Sequence, residues 1–342
     1  SRPERPKDYV KSFVTNARSP LPAPQCCATL RFPSLHKKQK SGDPPAMKTI
    51  KTIINSALIL LGSAFIANFA MAQDYSDHTA VLAIAETITD PDSGEPGQLI
   101  ILRQDVGNGQ LSHDFVYGDP RRAFFNGGDP GVNFAVHPDN SSSDGNLLNQ
   151  GFWMTESIGI WDREVCSNMN ITETGRSSNP GVVELFFQTG QIFAIWEADL
   201  TQMGFFSAAE FPYFAANPNV LGVAFTLFWV DGSGNFTDID NNGKFDVAFR
   251  EIYYNDEFEW ADNGVEGRQP SGIRIFDFPT VAIHEAGHGV SAAHFGLIGV
   301  KDGFLFAKPR SIMNAIYGGL LRELHGRDKG SNCSNWAQWP NR

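Results

Sequence analysis

The chain has 342 residues, 27 Lys+Arg against 38 Asp+Glu, and a formal net charge of −11. With 42% apolar and 19% charged residues, it excludes wholesale disorder, and its length suffices for one large domain or two small ones. The charge is uneven, +8 over residues 1–72 and −19 over the rest, and so acidic a body would repel phosphate, which argues against general nucleic-acid binding.

Residues 1–46 begin with Ser and are rich in Pro, Arg and Lys. Met47 then opens MKTIKTIINSALILLGSAFIANFAMAQD. Lys48 and Lys51 give a positive start, residues 53–70 are mostly apolar, and Ala70-Met71-Ala72 places small residues where a signal peptidase reads. This pattern predicts a cleaved secretory signal peptide over 47–72. The preceding 46 residues then read as a segment upstream of the true start. The apolar run approaches a membrane-spanning length, but Asn55 and Asn68 interrupt it. The expectation is a secreted or periplasmic protein without a stable membrane anchor after cleavage. Signal removal leaves two cysteines, Cys166 and Cys333, and an oxidising compartment favours one disulfide between them.

Residues 73–151 are polar and rich in turn motifs such as DPDSGEPG, NGGDPG and DNSSSDGN. Short strands are expected at 80–85 and 99–103. This N-terminal extension is a prosegment, a packing extension or a separate module. The pattern tightens over 152–342. Residues 155–169 fit a helix with Ile158, Trp161, Val165 and Met169 near one face. Strands are expected at 182–187, 198–206, 220–230 and 247–255, the third being almost continuously apolar. A helix begins near Phe278 or Pro279.

That helix carries FDFPTVAIHEAGHGVSAAHFG, residues 276–296. His284 and His288 are four apart, so on a helix both imidazoles reach one metal ion. Glu285 can lean over the open side of the metal. Two imidazoles and a third protein ligand leave one position for water, whose pKa zinc lowers toward about 7, and Glu285 can take its proton. His294 lies six residues beyond His288, so the chain must turn for it to serve as the third ligand. Further on comes SIMNAIY, with Met313 and Tyr317.

These residues resemble the metzincin zinc metalloproteases, within them the matrixin-like branch, whose pattern is H-E-x-x-H-x-x-G-x-x-H followed by a Met-turn. The chain reads HEAGHGVSAAH and then SIMNAIY. The resemblance implies zinc ligands at His284, His288 and His294, a general base at Glu285 and a packing methionine at Met313. The family's turn glycine is Ser291 here, and a serine at positive φ carries strain of about 1–2 kcal/mol. REIYYNDEFEW, residues 250–260, is similar to the strand before the active-site helix. The implied fold is α/β, or α+β, of the zincin kind: a twisted mixed sheet with one antiparallel edge strand, backed by the active-site helix and a second helix. Residues 220–230 are the candidate edge strand, to which a protein or peptide substrate can add as a further strand.

A second metal site is expected at Asp238, Asp240, Asn242 and Asp246, spaced like the start of an EF-hand calcium loop with a turn at Gly243. Phe249 stands where such a loop has its final Glu. Two functions follow. The first is a secreted zinc endopeptidase that hydrolyses peptide bonds with Zn2+ and Glu285, with structural Ca2+. The alternative is a secreted calcium-binding adhesion or recognition module whose histidine cluster is inactive. No cysteine lies between Gln73 and Val165 to cap the zinc, so an inhibitory 73–151 segment must act sterically or through His78, His113 or His137.

Overall fold

The computed structural model describes residues 78–93, 109–137, 139–176, 179–190, 196–302 and 304–341. The upstream segment, the signal peptide and the strand expected at 99–103 lie outside the described residues.

Seven strands form one mixed sheet: β1 (His78–Thr89), β2 (His113–Asp114), β3 (Asn133–Val136), β4 (Thr172–Arg176), β5 (Leu200–Phe206), β6 (Val220–Asp231) and β7 (Phe245–Asn255). Their order is β1-β6-β7-β5-β3-β4, with β2 pairing to β7 off this path. β7, β5, β3 and β4 run parallel, whereas β6 is antiparallel to β7 and β1 is antiparallel to β6. Five helices accompany the sheet among the described residues: α1 (Gln150–Asp162), α2 (Val182–Thr189), α3 (Pro212–Ala216), α4 (Phe278–Gly289) and α5 (Gly326–Trp336). A small sheet of β8 (Glu259–Ala261), β9 (Gly267–Arg268) and β10 (Arg274–Asp277) precedes α4, and a hairpin of β11 (Leu297–Lys301) and β12 (Phe304–Lys308) follows it. Among the described residues no helix is long and apolar enough to cross a membrane.

Strand alternation divides the core. From β7, Ile252 and Tyr254 join a cluster with Trp161, Val281, Ile283 and Met313. Phe249 and Tyr253 join a second, aromatic-rich cluster with Phe211, Phe214 and Phe225. α1 packs on α4, and Trp161 Nε1 donates to the Ile283 carbonyl at 2.8 Å.

Three expectations are corrected. The 220–230 run is interior, because β1 pairs along its outer side from His78↔Asp231 to Thr89↔Val220. Its continuous apolar character reflects burial between two neighbouring strands and under the packed faces. The 73–151 segment supplies β1, β2 and β3, and β3 lies between β4 and β5. Residues 182–187 are helical. Both oxygens of the buried Glu251 carboxylate accept N–H groups at the start of α2, from Val182 at 2.8 Å and Val183 at 2.9 Å. The 155–169 helix ends at Asp162, whose carboxylate accepts the Ile171 N–H at 2.9 Å, and Val165 is 97% exposed. Beyond α1, Cys166 is disulfide-bonded to Cys333 of α5, with a Cα–Cα distance of 5.3 Å.

Candidate metal centre

α4 starts where its sequence places a cap. The Asp277 carboxylate accepts from the Thr280 N–H at 3.1 Å and the Thr280 hydroxyl at 2.7 Å, with Pro279 in the first turn. Every residue of the helix is buried, including His284, Glu285 and His288. Gly287 and Gly289 make this burial possible. A Cβ on Gly287 would lie 2.4 Å from Met313 Sδ and 2.6 Å from the Trp161 ring, and one on Gly289 would lie 2.9 Å from Leu200.

The helix ends in a turn that brings His294 back. Ser291 takes φ +68°, the left-handed conformation. The turn is therefore made in the manner that favours glycine, and Ser291 bears the strain. Its surroundings hold it there. Arg250, fully buried on β7, donates to the Ser291 hydroxyl at 3.1 Å and to the Gly289 carbonyl at 2.6 Å. The Ser291 carbonyl accepts from Leu111 N–H and from Asn335 Nδ2, each at 3.0 Å. Burial pushes the Arg250 guanidinium down to about 9, opposed by Asp114 and Glu86.

The three imidazoles converge. Their Nε2 atoms are 3.0 Å apart for His284 and His288, 3.1 Å for His288 and His294, and 3.3 Å for His284 and His294. His284 Nδ1 donates to the Ile312 carbonyl at 2.7 Å and His288 Nδ1 to the Ala292 carbonyl at 2.9 Å. Those bonds leave the Nε2 lone pairs of both rings facing the centre. Neutral rings cannot satisfy one another this way. A tetrahedral ion with metal–nitrogen bonds of about 2.0–2.1 Å puts neighbouring ligand nitrogens about 3.3 Å apart, so the triad fits Zn2+. Burial lowers all three rings. His284 falls to about 3, helped by His294; His294 falls to about 4; and His288 falls well below the usual range. They are neutral at pH 7, the form that binds metal.

Glu285 follows on the same helix and is fully buried. Neither of its carboxylate oxygens has a hydrogen-bond partner of ordinary geometry among the described residues. Burial raises its pKa well above the usual carboxylate range; the Ile88 N–H opposes this and Glu86 adds to it. Gly222 of β6 passes so close that a Cβ there would lie 2.9 Å from Glu285 Cγ. Met313 is buried with its sulfur against Gly287. Its turn is pinned by Asp328 of α5, which accepts from the Ile312 and Met313 N–H groups at 3.2 Å each and from the His325 N–H at 2.8 Å. Arg250 and Asp328 do not stand out in the sequence, because Ser291 lies 41 positions from Arg250 and Met313 lies 15 from Asp328.

The second candidate site is assembled only in part. Asp238, Asp240 and Asp246 bring carboxylate oxygens within 4.8 Å of one another. Asn242 Oδ1 accepts from Lys244 N–H at 2.8 Å, and its amide donates to Asp240 at 3.0 Å and to Asp114 of β2 at 3.2 Å. Burial raises Asp240, and Asp114, Asp246 and Asp238 add to the rise. Two cations already serve these acids: Arg121 lies 2.8 Å from Asp246 and Lys244 lies 3.3 Å from Asp114.

No protein-family model matches the chain, and a search of curated proteins finds no match.

Proposed function

We propose that this chain is a secreted zinc-dependent endopeptidase of the metzincin kind. The observation that carries the reading is a convergent triad of neutral imidazole nitrogens beside a buried carboxylate that has no hydrogen-bond partner of ordinary geometry among the described residues. A structural histidine cluster would be expected to satisfy its polar atoms internally. A mixed sheet with β6 antiparallel to β7, and Met313 packed against Gly287 of the histidine helix, support the reading.

His284, His288 and His294 would hold Zn2+, which supplies Lewis-acid chemistry to a water and a carbonyl. Glu285 takes a proton from the attacking water at a carboxylate oxygen and delivers it to the leaving nitrogen. Its burial on the helix turn that carries His284 and His288, against Gly222 of β6, holds it in place for this task. The Ile312 and Ala292 carbonyls keep two of the ligand rings in one tautomer and orientation. β6 passes close to Glu285 at Gly222, and both of its sides are paired, with β1 and with β7. A structural Ca2+ at Asp238, Asp240 and Asp246 belongs to the same reading. The nearby Arg121 and Lys244 make it a weak site.

Digestion of a peptide library tests the reading. Cleavage is expected to stop with a zinc chelator and return with zinc. Glu285→Ala is expected to keep the metal and lose about 100-fold or more in kcat. Chelator-resistant cleavage, or full activity in the alanine variant, would refute it.

A further inference from the structure

β11 and β12 form a two-stranded hairpin apart from both other sheets, running from Leu297↔Lys308 at its foot to Lys301↔Phe304 at its tip. The tip is Asp302-Gly303, the sequence of a tight hairpin turn, and Asp302 takes φ +55°. The foot is fixed to the residues around Met313. Phe295 N–H donates to the Met313 carbonyl at 2.7 Å. Asn314 Nδ2 donates to the Phe295 carbonyl at 2.6 Å and to the Pro309 carbonyl at 3.2 Å, so one amide joins the two legs.

Residues directly across the two strands share a face. One face interleaves Leu297, Phe304 and Phe306 with Lys301 and Lys308. The Phe306 ring lies over Gly299, where a Cβ would meet it at 2.6 Å, and Lys308 Nζ stands 5.2 Å from the ring centroid. The other face carries Ile298 and Val300 beside the buried Leu305. Leu297 is 82% exposed, Val300 66%, Phe304 49% and Ile298 45%. Four of the twelve large apolar side chains exposed among the described residues thus stand on this one element, on both of its faces, which is more than scattered surface exposure. A lone two-stranded hairpin is marginal in water, and its apolar groups contribute little until something covers them.

Charge identifies the cover. Residues 297–310 hold Lys301, Lys308 and Arg310 against Asp302, a net +2, on a body that carries −19 over residues 73–342. Lys301 and Lys308 are exposed, and the lysines found in ion pairs among the described residues are Lys244 and Lys329 instead. We infer that the β11–β12 hairpin docks the protein on an anionic lipid surface. Leu297, Val300 and Phe304 enter the boundary between headgroups and acyl chains, and the lysine stems carry their ammonium groups to the phosphates. The acidic body does not prevent this. Each five-residue strand spans roughly 17 Å, about twice the ~8 Å over which its repulsion is screened at physiological salt. The hairpin begins just after His294 and ends just before Met313, so docking holds the histidine centre beside the lipid surface.

Hydrogen exchange of the full chain, read by mass spectrometry with and without vesicles, tests this at the hairpin itself, which matters because residues 1–72 are also basic and apolar. With vesicles of equal parts phosphatidylcholine and phosphatidylserine, exchange over 297–308 is expected to slow about threefold or more. Phosphatidylcholine alone should protect these amides less, and the protection should fade as salt rises. Leu297→Ser with Phe304→Ser should abolish the protection. Lys301→Gln with Lys308→Gln should weaken binding to the anionic vesicles about 20-fold. All four side chains are exposed, so thermal unfolding should be unchanged in both double variants. Absence of vesicle binding, or binding that leaves exchange over 297–308 unchanged, would overturn the inference. So would equal protection by neutral and anionic vesicles. Protection that appears without vesicles as protein concentration rises would overturn it in favour of a second copy of the chain. No step needs zinc, so the peptidase reading stands or falls separately.

Discussion

Ser291 carries a φ of +68° that a serine adopts at a cost of about 1–2 kcal/mol. The sequence displays the departure from glycine but not its compensation, because Arg250 lies 41 positions away and Asn335 lies 44 away. Removing the hydroxyl leaves a buried guanidinium N–H unpaired while the strain stays. Ser291→Ala is therefore expected to lower the unfolding free energy by about 2 kcal/mol in urea denaturation. Ser291→Gly loses the same bond but relieves the strain, and should cost clearly less. Gly287 illustrates the opposite constraint. Its Cβ would meet Met313 Sδ at 2.4 Å and Trp161 at 2.6 Å, both backed by core. Gly287→Ala should destabilise the protein by about 1–3 kcal/mol and weaken zinc binding, read by unfolding and by metal titration. The residue scale is where the sequence spoke most clearly. His284, Glu285, His288 and His294 fall within 11 consecutive positions, so helix geometry and one turn suffice to relate them.

Elements were legible where local pattern decides them. α4 has its capping aspartate, first-turn proline and apolar surroundings in one short stretch. β6 and β7 were marked by their apolar and aromatic runs. α2 was not, because VVELFFQT reads as a strand and its deciding partner is Glu251, about 70 residues distant. That carboxylate also accepts the Tyr253 hydroxyl at 2.8 Å. Glu251→Ala strips acceptors from two N–H groups and a phenol at once. It is expected to cost about 3 kcal/mol and to speed hydrogen exchange of the first-turn amides of α2. The place of β6 in the sheet was likewise illegible. Its composition signals burial, but only the pairing with β1 determines whether it stands at the edge. The strand expected at 80–85 falls within β1, but the turn-rich segment gave little sign that it would extend to 12 residues and pair with β6.

At the scale of the molecule, the Cys166–Cys333 bond closes a sequence separation of 167 residues. It ties the segment after α1 to α5, whose Asp328 holds the Met-turn. Reduction is expected to lower stability by about 2–5 kcal/mol, seen as a fall in the unfolding midpoint on adding a thiol reductant. The Met-turn and its methionine could be read from SIMNAIY, yet the dependence of that turn on the C-terminal helix could not, since Asp328 lies 15 residues beyond Met313. In the proposed reading these parts surround three imidazoles that would hold one ion. X-ray absorption at the zinc edge, combined with metal quantitation, interrogates it directly. One Zn2+ per chain is predicted, with three imidazole nitrogens at about 2.0–2.1 Å, retained in Glu285→Ala and lost in His294→Ala. A chain that takes up no zinc, or one whose zinc survives His294→Ala with an unchanged coordination shell, would contradict the assignment.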